Sequence, residues 1–292
     1  MKIQTKKIHS FTKHVSGGNP AGVVTNTPID ITDIQMKHVT KELQVSETAF
    51  VFPSEKADFK TRFFSPETEV DLCGHATIAA FFDISKREMI PKNKNHITLT
   101  QETKVGILPV DLYFKNNRCE KVMMTQAKPM LQDVPFDYDA IAQSLCIEKD
   151  AIDASLPQQL VSTGLFELPV CIRKMSILQN MKPDFTMVKN LCTRFGVGSV
   201  HVFTFETIEP SSTYHARNFA PLYGIDEDPV TGTANGATCW YLEKNKIING
   251  KDFICEQGDI IGRAGRVNVE IQNNIVMVGG SAVLAEKREL DV

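Results

Sequence analysis

The chain has 292 residues, a formal net charge of −3 at neutral pH and 23% charged residues. This length allows a large buried core and predicts two domains. The charge provides no basic surface for nucleic acid, and no apolar run approaches the ~20 residues that a membrane helix needs. The amino terminus alternates polar and apolar residues without the apolar centre of a signal peptide, so we expect a cytoplasmic protein.

Seven cysteines and seven histidines are scattered along the sequence. The cysteine number is odd and no Cys-x-x-Cys occurs, which is typical of free thiols in a reducing compartment. No Cys/His cluster has the spacing of metal ligands, so the sequence predicts no metal site.

In chain order, the first part of the sequence predicts short strands and two helices. Apolar residues at 31, 34, 39 and 43 recur at a roughly helical period, which favours a helix there. A glycine-rich turn over 16–22 precedes this helix. The predicted strands are 2–10, 49–52, 59–64, 96–100, 104–114 and 118–124, and the predicted helices are 31–43 and 74–86.

The second part begins with a predicted linker over 128–137, which contains two prolines. The predicted helices are 139–145, 184–194 and 232–244. The predicted strands are 159–163, 168–174, 200–206, 214–219, 253–257, 266–271, 275–279 and 282–286. Runs of strands accompanied by a few helices indicate the α+β class.

Two stretches of the sequence resemble each other, as the two copies of an internal repeat do. Arg-x-Phe-x-Pro occurs at 62–66 and 217–221, and it leads to Cys-Gly-His-Ala at 73–76 and Thr-Gly-Thr-Ala at 231–234. The repeat predicts two similar domains. The helices that follow are rich in small residues, which indicates that they are buried. Because a glycine at a helix start lets backbone N–H groups approach an anion, two such starts facing one cleft predict a site for a small acidic molecule.

Three residues near the first helix start can carry chemistry, and each has a simpler alternative. Glu47 can be a general base or an exposed turn carboxylate. His75 can donate a hydrogen bond or move a proton, or it can be a capping or core histidine. Cys73 can be a thiolate at a helix N-terminus or a small buried apolar residue.

The second helix start offers a different set. Asp228 can hold a proton or position an amino group, or it can belong to a solvated acidic loop. Thr231 and Thr233 can bind a carboxylate or cap the helix. Gly-x-Gly-x-x-Gly and Gly-x-Ser-x-Gly are both absent, and 258–266 lacks the end of a phosphate-binding loop. The sequence therefore predicts no cofactor.

Four blocks together resemble the signatures of the PhzF family of phenazine biosynthesis-like isomerases. They are Gly-Asn-Pro-Ala at 18–21, Ser-Glu-Thr-Ala-Phe at 46–50, and the segments 69–77 and 227–234. The resemblance implies a fold like that of diaminopimelate epimerase, in which two similar domains each roll a mostly antiparallel sheet around a central helix. It implies an N-terminal domain over 1–125, joined by 281–292, a C-terminal domain over 126–280, and an active site in the cleft between them.

The resemblance also implies roles for individual residues. Glu47 corresponds to the family's catalytic glutamate, and His75 and Asp228 assist it in proton transfer without a cofactor. A threonine replaces the family's usual serine at position 233. The residues that the resemblance places in substrate binding are Asn19, Cys73, Gly74, Thr231, Gly232 and Thr233.

The implied activity is an isomerase that moves a proton on a small carboxylic acid, either amino-acid-like or a cyclic diene. An amino-acid epimerase or racemase and an inactive binding protein remain alternatives. Epimerase relatives use one cysteine at each helix start, whereas this chain has Cys73 and Thr231 there. This favours a single carboxylate base. We expect a homodimer that binds a small carboxylate and neither nucleic acid nor membrane.

Overall fold

The computed structural model describes residues 1–91 and 93–292, and these residues form two compact units. Unit 1 comprises Met1–Thr125 and Gly279–Val292, and unit 2 comprises Gln126–Val278. Within the described ranges, no helix has both the length and the apolar character needed to cross a membrane.

Both units combine many strands with few helices. The strands are β1 (Lys2–Ser10), β2 (Asn19–Val24), β3 (Thr48–Phe52), β4 (Phe59–Phe64), β5 (Glu69–Val70), β6 (His96–Thr103), β7 (Gly106–Lys115), β8 (Arg118–Thr125), β9 (Met130–Asp133), β10 (Gln159–Ser162), β11 (Phe166–Cys171), β12 (Ser199–Thr204), β13 (Tyr214–Ala220), β14 (Ile225–Asp228), β15 (Asp252–Gln257), β16 (Gly265–Gln272), β17 (Ile275–Gly280) and β18 (Ala282–Asp291). The α-helices are α1 (Asp33–Glu42), α2 (Gly74–Ile84), α3 (Tyr138–Leu145), α4 (Met175–Asn180), α5 (Phe185–Phe195) and α6 (Gly232–Lys244).

The sheet of unit 1 curves around α2. Its strands follow the order β18-β1-β2-β3-β4-β6-β7-β8, in which β2/β3 and β4/β6 are parallel and the other pairs are antiparallel. Helix α2 contacts β1 and β18 near one end of this order and β7 and β8 at the other. Eight of its eleven residues are buried, as expected for a helix that is apolar on all sides.

Unit 2 repeats this topology around α6. The order β9-β10-β11-β12-β13-β15-β16 has its parallel pairs at β11/β12 and β13/β15, which are the positions of β2/β3 and β4/β6. The short strand β14 pairs with β13 as β5 pairs with β4. The internal repeat seen in the sequence is therefore a repeat of architecture, and the α+β class with two similar domains is confirmed.

Helix α4 and the short strands β5 and β14 were not expected from the sequence, and two stretches that were expected to be irregular contain strands. Residues 128–137 were expected to be a linker, but they contain β9, which pairs with β10 in the register Met130↔Ser162. A turn was expected over 16–22, but β2 already begins at Asn19. In both cases pairing with another strand imposes extended structure where the prolines and glycines indicate a turn or a linker.

Candidate active site

The two buried helices begin without the side-chain caps that α1, α3 and α5 have. Thr32 caps α1 in a capping box with Gln35, and Asp184 accepts two backbone N–H bonds at the start of α5. Among the described residues, the N-cap side chains Cys73 and Thr231 make no such bond to α2 and α6. The first N–H groups of α2 and α6 are therefore available to another acceptor.

Unit 1 brings Glu47, Cys73 and His75 into one cluster. The Nε2 atom of His75 lies 3.5 Å from Oε2 of Glu47, and its Nδ1 atom lies 3.4 Å from Sγ of Cys73. The side chains of Glu47 and His75 are 20% and 13% exposed. Within the part of the chain that the structure describes, Nε2 of His75 is buried and has no hydrogen-bond partner. The imidazole thus lies between a carboxylate and a thiol.

Close strand pairing fixes the position of Glu47. Its carbonyl accepts a hydrogen bond of 3.0 Å from the backbone N–H of Gly22, immediately before β3 begins. A Cβ atom at Gly22 would lie 2.2 Å from Oγ1 of Thr48, so only glycine lets β2 approach β3 this closely.

The start of α2 is held by hydroxyl groups. Ser10 donates a 2.7 Å hydrogen bond to the carbonyl of His75, and Thr77 donates one of 2.8 Å to the carbonyl of Cys73. Asn19 is buried at the beginning of β2, opposite Ser10 in the β1/β2 pair. Asn19 therefore belongs to the strand layer that supports the helix start.

The same cluster offers a set of metal ligands. One ligand atom each from Glu47, Cys73 and His75 lies within 4.8 Å of the others, and carboxylate, thiolate and imidazole are all ligands of zinc. The sequence spacing does not reveal this grouping, because Glu47 is far from the other two along the chain. The arrangement is suited to proton transfer or to binding an ion, and the predicted absence of a metal stays a prediction.

In unit 2, Asp228 is held by the N-cap residue of α6. The hydroxyl of Thr231 donates a hydrogen bond to Oδ2 of Asp228. The side-chain amide of Gln257 donates to the carbonyl of Asp228 at 2.9 Å and accepts from the backbone N–H of Thr231 at 3.1 Å. Asn235 donates to Oε1 of Gln257 at 2.7 Å. Asp228 is thus partly buried in an ordered hydrogen-bonding network, whereas the alternative was a solvated loop.

The remaining predicted residues of unit 2 lie in the first turn of α6. Gly232 and Thr233 are its first two residues, and both are partly exposed. The carbonyl of Thr233 accepts a 3.3 Å hydrogen bond from Thr163. The prediction from sequence missed Gln257 and Asn235, although both occur in segments that it singled out, at the end of β15 and in the small-residue run of α6.

Each of the two helix starts is preceded by its own arginine–carboxylate pair. Arg62 donates two hydrogen bonds of 2.8 and 2.9 Å to Glu69, and Arg217 donates two of 2.9 and 2.7 Å to Glu227. Each glutamate lies five residues before the glycine that opens the helix. The hydrogen bonds from Arg62 lower the pKa of Glu69. Bidentate pairs of this kind are geometrically strict, so each one fixes the segment that leads into its helix.

The spacing shared by the two arginine pairs aligns the helix starts residue by residue. Cys73 is equivalent to Thr231 and His75 to Thr233, whereas Asp228 has Val70 as its counterpart. The architecture is therefore duplicated, but the chemical groups are not.

Comparison with known proteins identifies relatives over the whole chain. The family model "PhzC-PhzF: Phenazine biosynthesis-like protein" matches residues 8–288. An "uncharacterized isomerase" of Bacillus subtilis (strain 168) is 35% identical, with the alignment covering 100% of this chain and 99% of the relative.

Solved structures show the same fold. A Bacillus anthracis phenazine biosynthesis protein of the PhzF family is 30% identical, covers 100% of both chains and has a TM-score of 0.90. A hydroxyproline epimerase from Agrobacterium vitis is only 14% identical, covers 99% of this chain and 91% of its own, and has a TM-score of 0.65. At that identity the likeness shows the fold alone.

Proposed function

We propose that this chain, which belongs to the PhzC-PhzF family of phenazine biosynthesis-like proteins, is an isomerase that uses Glu47 to move a proton on a small carboxylic acid. The isomerase class follows from the family and its isomerase-named members. The single observation that carries the proposal for Glu47 is the contact of its carboxylate with the partly buried His75 at a helix start that lacks a side-chain cap. A carboxylate next to an imidazole can take a proton from carbon and return it elsewhere.

The substrate class follows from the helix starts. Backbone N–H groups at the N-terminus of a helix favour a carboxylate and stabilise the negative charge that develops on an enolate-like intermediate. The proposal also assigns Asp228, Gly232 and Thr233 of unit 2 to binding of a small carboxylate. We test both assignments by screening amino-acid-like and cyclic dienyl carboxylates for thermal stabilisation, and then by following each binding compound by NMR in deuterated water. A shifted double bond supports the isomerase, whereas stabilisation without any proton exchange contradicts catalysis.

An epimerase is the second candidate, because Cys73 lies 3.4 Å from an imidazole nitrogen that can accept its proton. A two-thiol mechanism is disfavoured because Thr231 occupies the equivalent position of unit 2. We expect Cys73→Ser to retain turnover within about tenfold, less than the 10²–10⁴-fold loss that follows removal of an acid/base group. A loss of that larger size, together with inversion at a stereocentre of the product, would instead establish the thiol as a base.

Gly74 provides a test of carboxylate binding that is separate from catalysis. A Cβ atom at Gly74 would have Met124 Sδ as its nearest neighbour, at 3.5 Å, so packing tolerates alanine. We expect Gly74→Ala to change the free energy of unfolding by no more than ~0.5 kcal/mol. Its ligand affinity should fall by about tenfold or more, because the methyl group blocks approach to the backbone N–H groups.

Calorimetric titration of wild type and Gly74→Ala with a compound from the screen measures this loss of affinity. Gly236→Ala is the contrasting variant, since its Cβ atom would lie 2.5 Å from Cγ1 of Val278 and should destabilise the fold. Unchanged ligand affinity in Gly74→Ala would show that the carboxylate binds elsewhere.

A further inference from the structure

Unit 2 contains a buried polar cluster that the proposed mechanism does not use. Glu167 on β11, Ser199 and His201 on β12, and Asn218 on β13 are each at most 2% exposed. Strand pairing places Glu167 opposite Ser199 and His201 opposite Asn218. A carboxyl group that is fully buried without a cation is costly as an anion, and it normally takes up a proton.

The number of donor hydrogens around Ser199 indicates that the proton is on Glu167. The hydroxyl of Ser199 lies within hydrogen-bond distance of both Oε2 of Glu167 and, at 2.8 Å, Oδ1 of Asn218. A serine hydroxyl has one hydrogen, and an amide oxygen has none to donate. Both contacts are hydrogen bonds only if Glu167 is protonated and donates to Ser199, which then donates to Asn218.

The histidine completes the same pattern. Nδ1 of His201 lies 3.1 Å from Oδ1 of Asn218, and burial lowers the pKa of His201 to about 4. The neutral imidazole therefore carries a single N–H hydrogen. When this hydrogen is on Nδ1, it is donated to the second lone pair of Oδ1 of Asn218. The hydrogens on Glu167, on Ser199 and on Nδ1 of His201 then each have an acceptor, provided that Glu167 is the acid.

The position of the cluster is informative because of the internal repeat. Phe50 opposes Arg62 across β3/β4, and Val202 opposes the equivalent Arg217 across β12/β13. Three residues before Phe50 lies Glu47, and three residues before Val202 lies Ser199. Unit 2 therefore has the hydroxyl of Ser199 where unit 1 has its catalytic carboxylate, and the adjacent strand supplies the carboxyl group of Glu167.

The titratable groups that interact electrostatically with Glu167 come from three other elements. They are Asp228 on β14, the thiol of Cys192 on α5 and the phenol of Tyr223 in the 3₁₀ turn Pro221–Tyr223. Burial is the main cause that raises the pKa of Cys192 to about 12 and that raises the pKa of Tyr223, so both stay neutral around pH 7. Asp228 is the remaining carboxyl group of the three, and Asn218 opposes it across β13/β14.

We propose that Glu167 is a positioning residue that stays protonated at neutral pH, so that Glu167 and Asp228 share a single negative charge and Asp228 carries it. When two carboxyl groups interact in a partly buried site, the charge of one raises the pKa of the other, so ionising both is unfavourable. A neutral Glu167 lets Asp228 remain the anion that accepts from Thr231. The role of Asp228 toward substrate rests on the proposed function, whereas the protonation of Glu167 does not.

The protonation state has a consequence for stability. Burial, followed by the charge of Asp228, raises the pKa of Glu167 from 4.5 to about 8. Between these two values the folded chain holds one proton more than the unfolded chain, so the free energy of unfolding falls as the pH rises. The unfolding equilibrium constant should increase by about tenfold per pH unit in this window. Glu167→Gln, a neutral isostere, should lack this contribution.

Urea denaturation between pH 5 and 9 tests the proposal without any substrate. We compare wild type with Glu167→Gln, Asp228→Asn and, as the matched control, the exposed Glu148→Gln. Relative to Glu167→Gln, the wild type and the control should lose stability as the pH rises. In Asp228→Asn the loss should begin at the same pH, which the unfolded chain sets, and should end at lower pH, because the charge of Asp228 is one cause that raises the pKa of Glu167 in the folded chain. Parallel curves for wild type and Glu167→Gln would overturn the protonation, and an unshifted window in Asp228→Asn would overturn the shared charge.

Turnover tests the positioning role separately. With a substrate of the proposed function, wild-type kcat should fall above pH ~8 as Glu167 ionises, whereas Glu167→Gln should remain active to higher pH. An unchanged alkaline limit in the variant would overturn positioning. A wild-type chain that shows the stability window but no turnover with any carboxylate would contradict the proposed function and leave the protonation of Glu167 established.

Discussion

Replacing Glu47 by glutamine is expected to lower turnover by about 10²–10⁴-fold, the range that loss of a general acid/base group produces. The amide keeps the size of the carboxylate and one acceptor oxygen, but it cannot accept a proton from carbon. Substrate affinity should change little, because the backbone groups at the helix starts provide the proposed carboxylate contacts. The measurement is kcat and KM of the purified variant with a substrate from the screen.

The control for Glu47→Gln is Glu42→Gln, which makes the same change at an exposed position of α1. Thermal denaturation of both variants establishes that the fold is retained. If Glu47→Gln turns over substrate at the rate of Glu42→Gln, the base is another group, and Cys73 at 3.4 Å from His75 becomes the first candidate.

Replacing Arg217 by methionine is expected to reduce the free energy of unfolding by about 3–5 kcal/mol, as when one partner of a buried ion pair is removed. The side chains of Arg217 and Glu227 are 7% and 13% exposed. Arg217 also donates to the carbonyl oxygens of Leu178 and Met181 at 3.0 and 2.8 Å. Methionine fills much of the volume but leaves one carboxylate and two carbonyl groups without their donor.

The internal repeat provides the matched variant, Arg62→Met. Arg62 makes the same bidentate contact with Glu69, but its side chain is 27% exposed and its second partner, Asp33, is 60% exposed. Water can replace the lost donor there, so the cost should be about 1 kcal/mol. Urea denaturation measures both values. Equal losses for the two variants would show that burial does not determine the strength of these pairs.

Local sequence patterns were sufficient to predict the fold class and most of the elements. The small-residue runs after Gly74 and Gly232 indicated buried helices, and the two Arg-x-Phe-x-Pro motifs indicated the duplication that the sheets display. The strand at Met130–Asp133 was missed because its extended form depends on pairing with Gln159–Ser162. Such pairing is a contact between distant segments and leaves little trace in the local pattern.

The candidate site was predictable to a lesser extent, for the same physical reason. Glu47 and His75 were singled out separately, but their proximity depends on how closely β2 and β3 approach. Gln257 and Asn235 were missed because an amide that is satisfied inside a protein has no distinctive sequence signature. Glu167 lies in an otherwise apolar strand. Because glutamate is rarely buried, it is expected at the surface unless the neighbouring strands are known.

The central claim is that Glu47 moves the proton, and isotope transfer measures this directly. Wild type and Glu47→Gln are each saturated with substrate in deuterated water, and deuterium at the protonated carbon of the product is followed by NMR. The proposal predicts that the wild type incorporates solvent deuterium during turnover, whereas Glu47→Gln binds the substrate and incorporates at least 10²-fold more slowly. Incorporation at the wild-type rate by Glu47→Gln would contradict it.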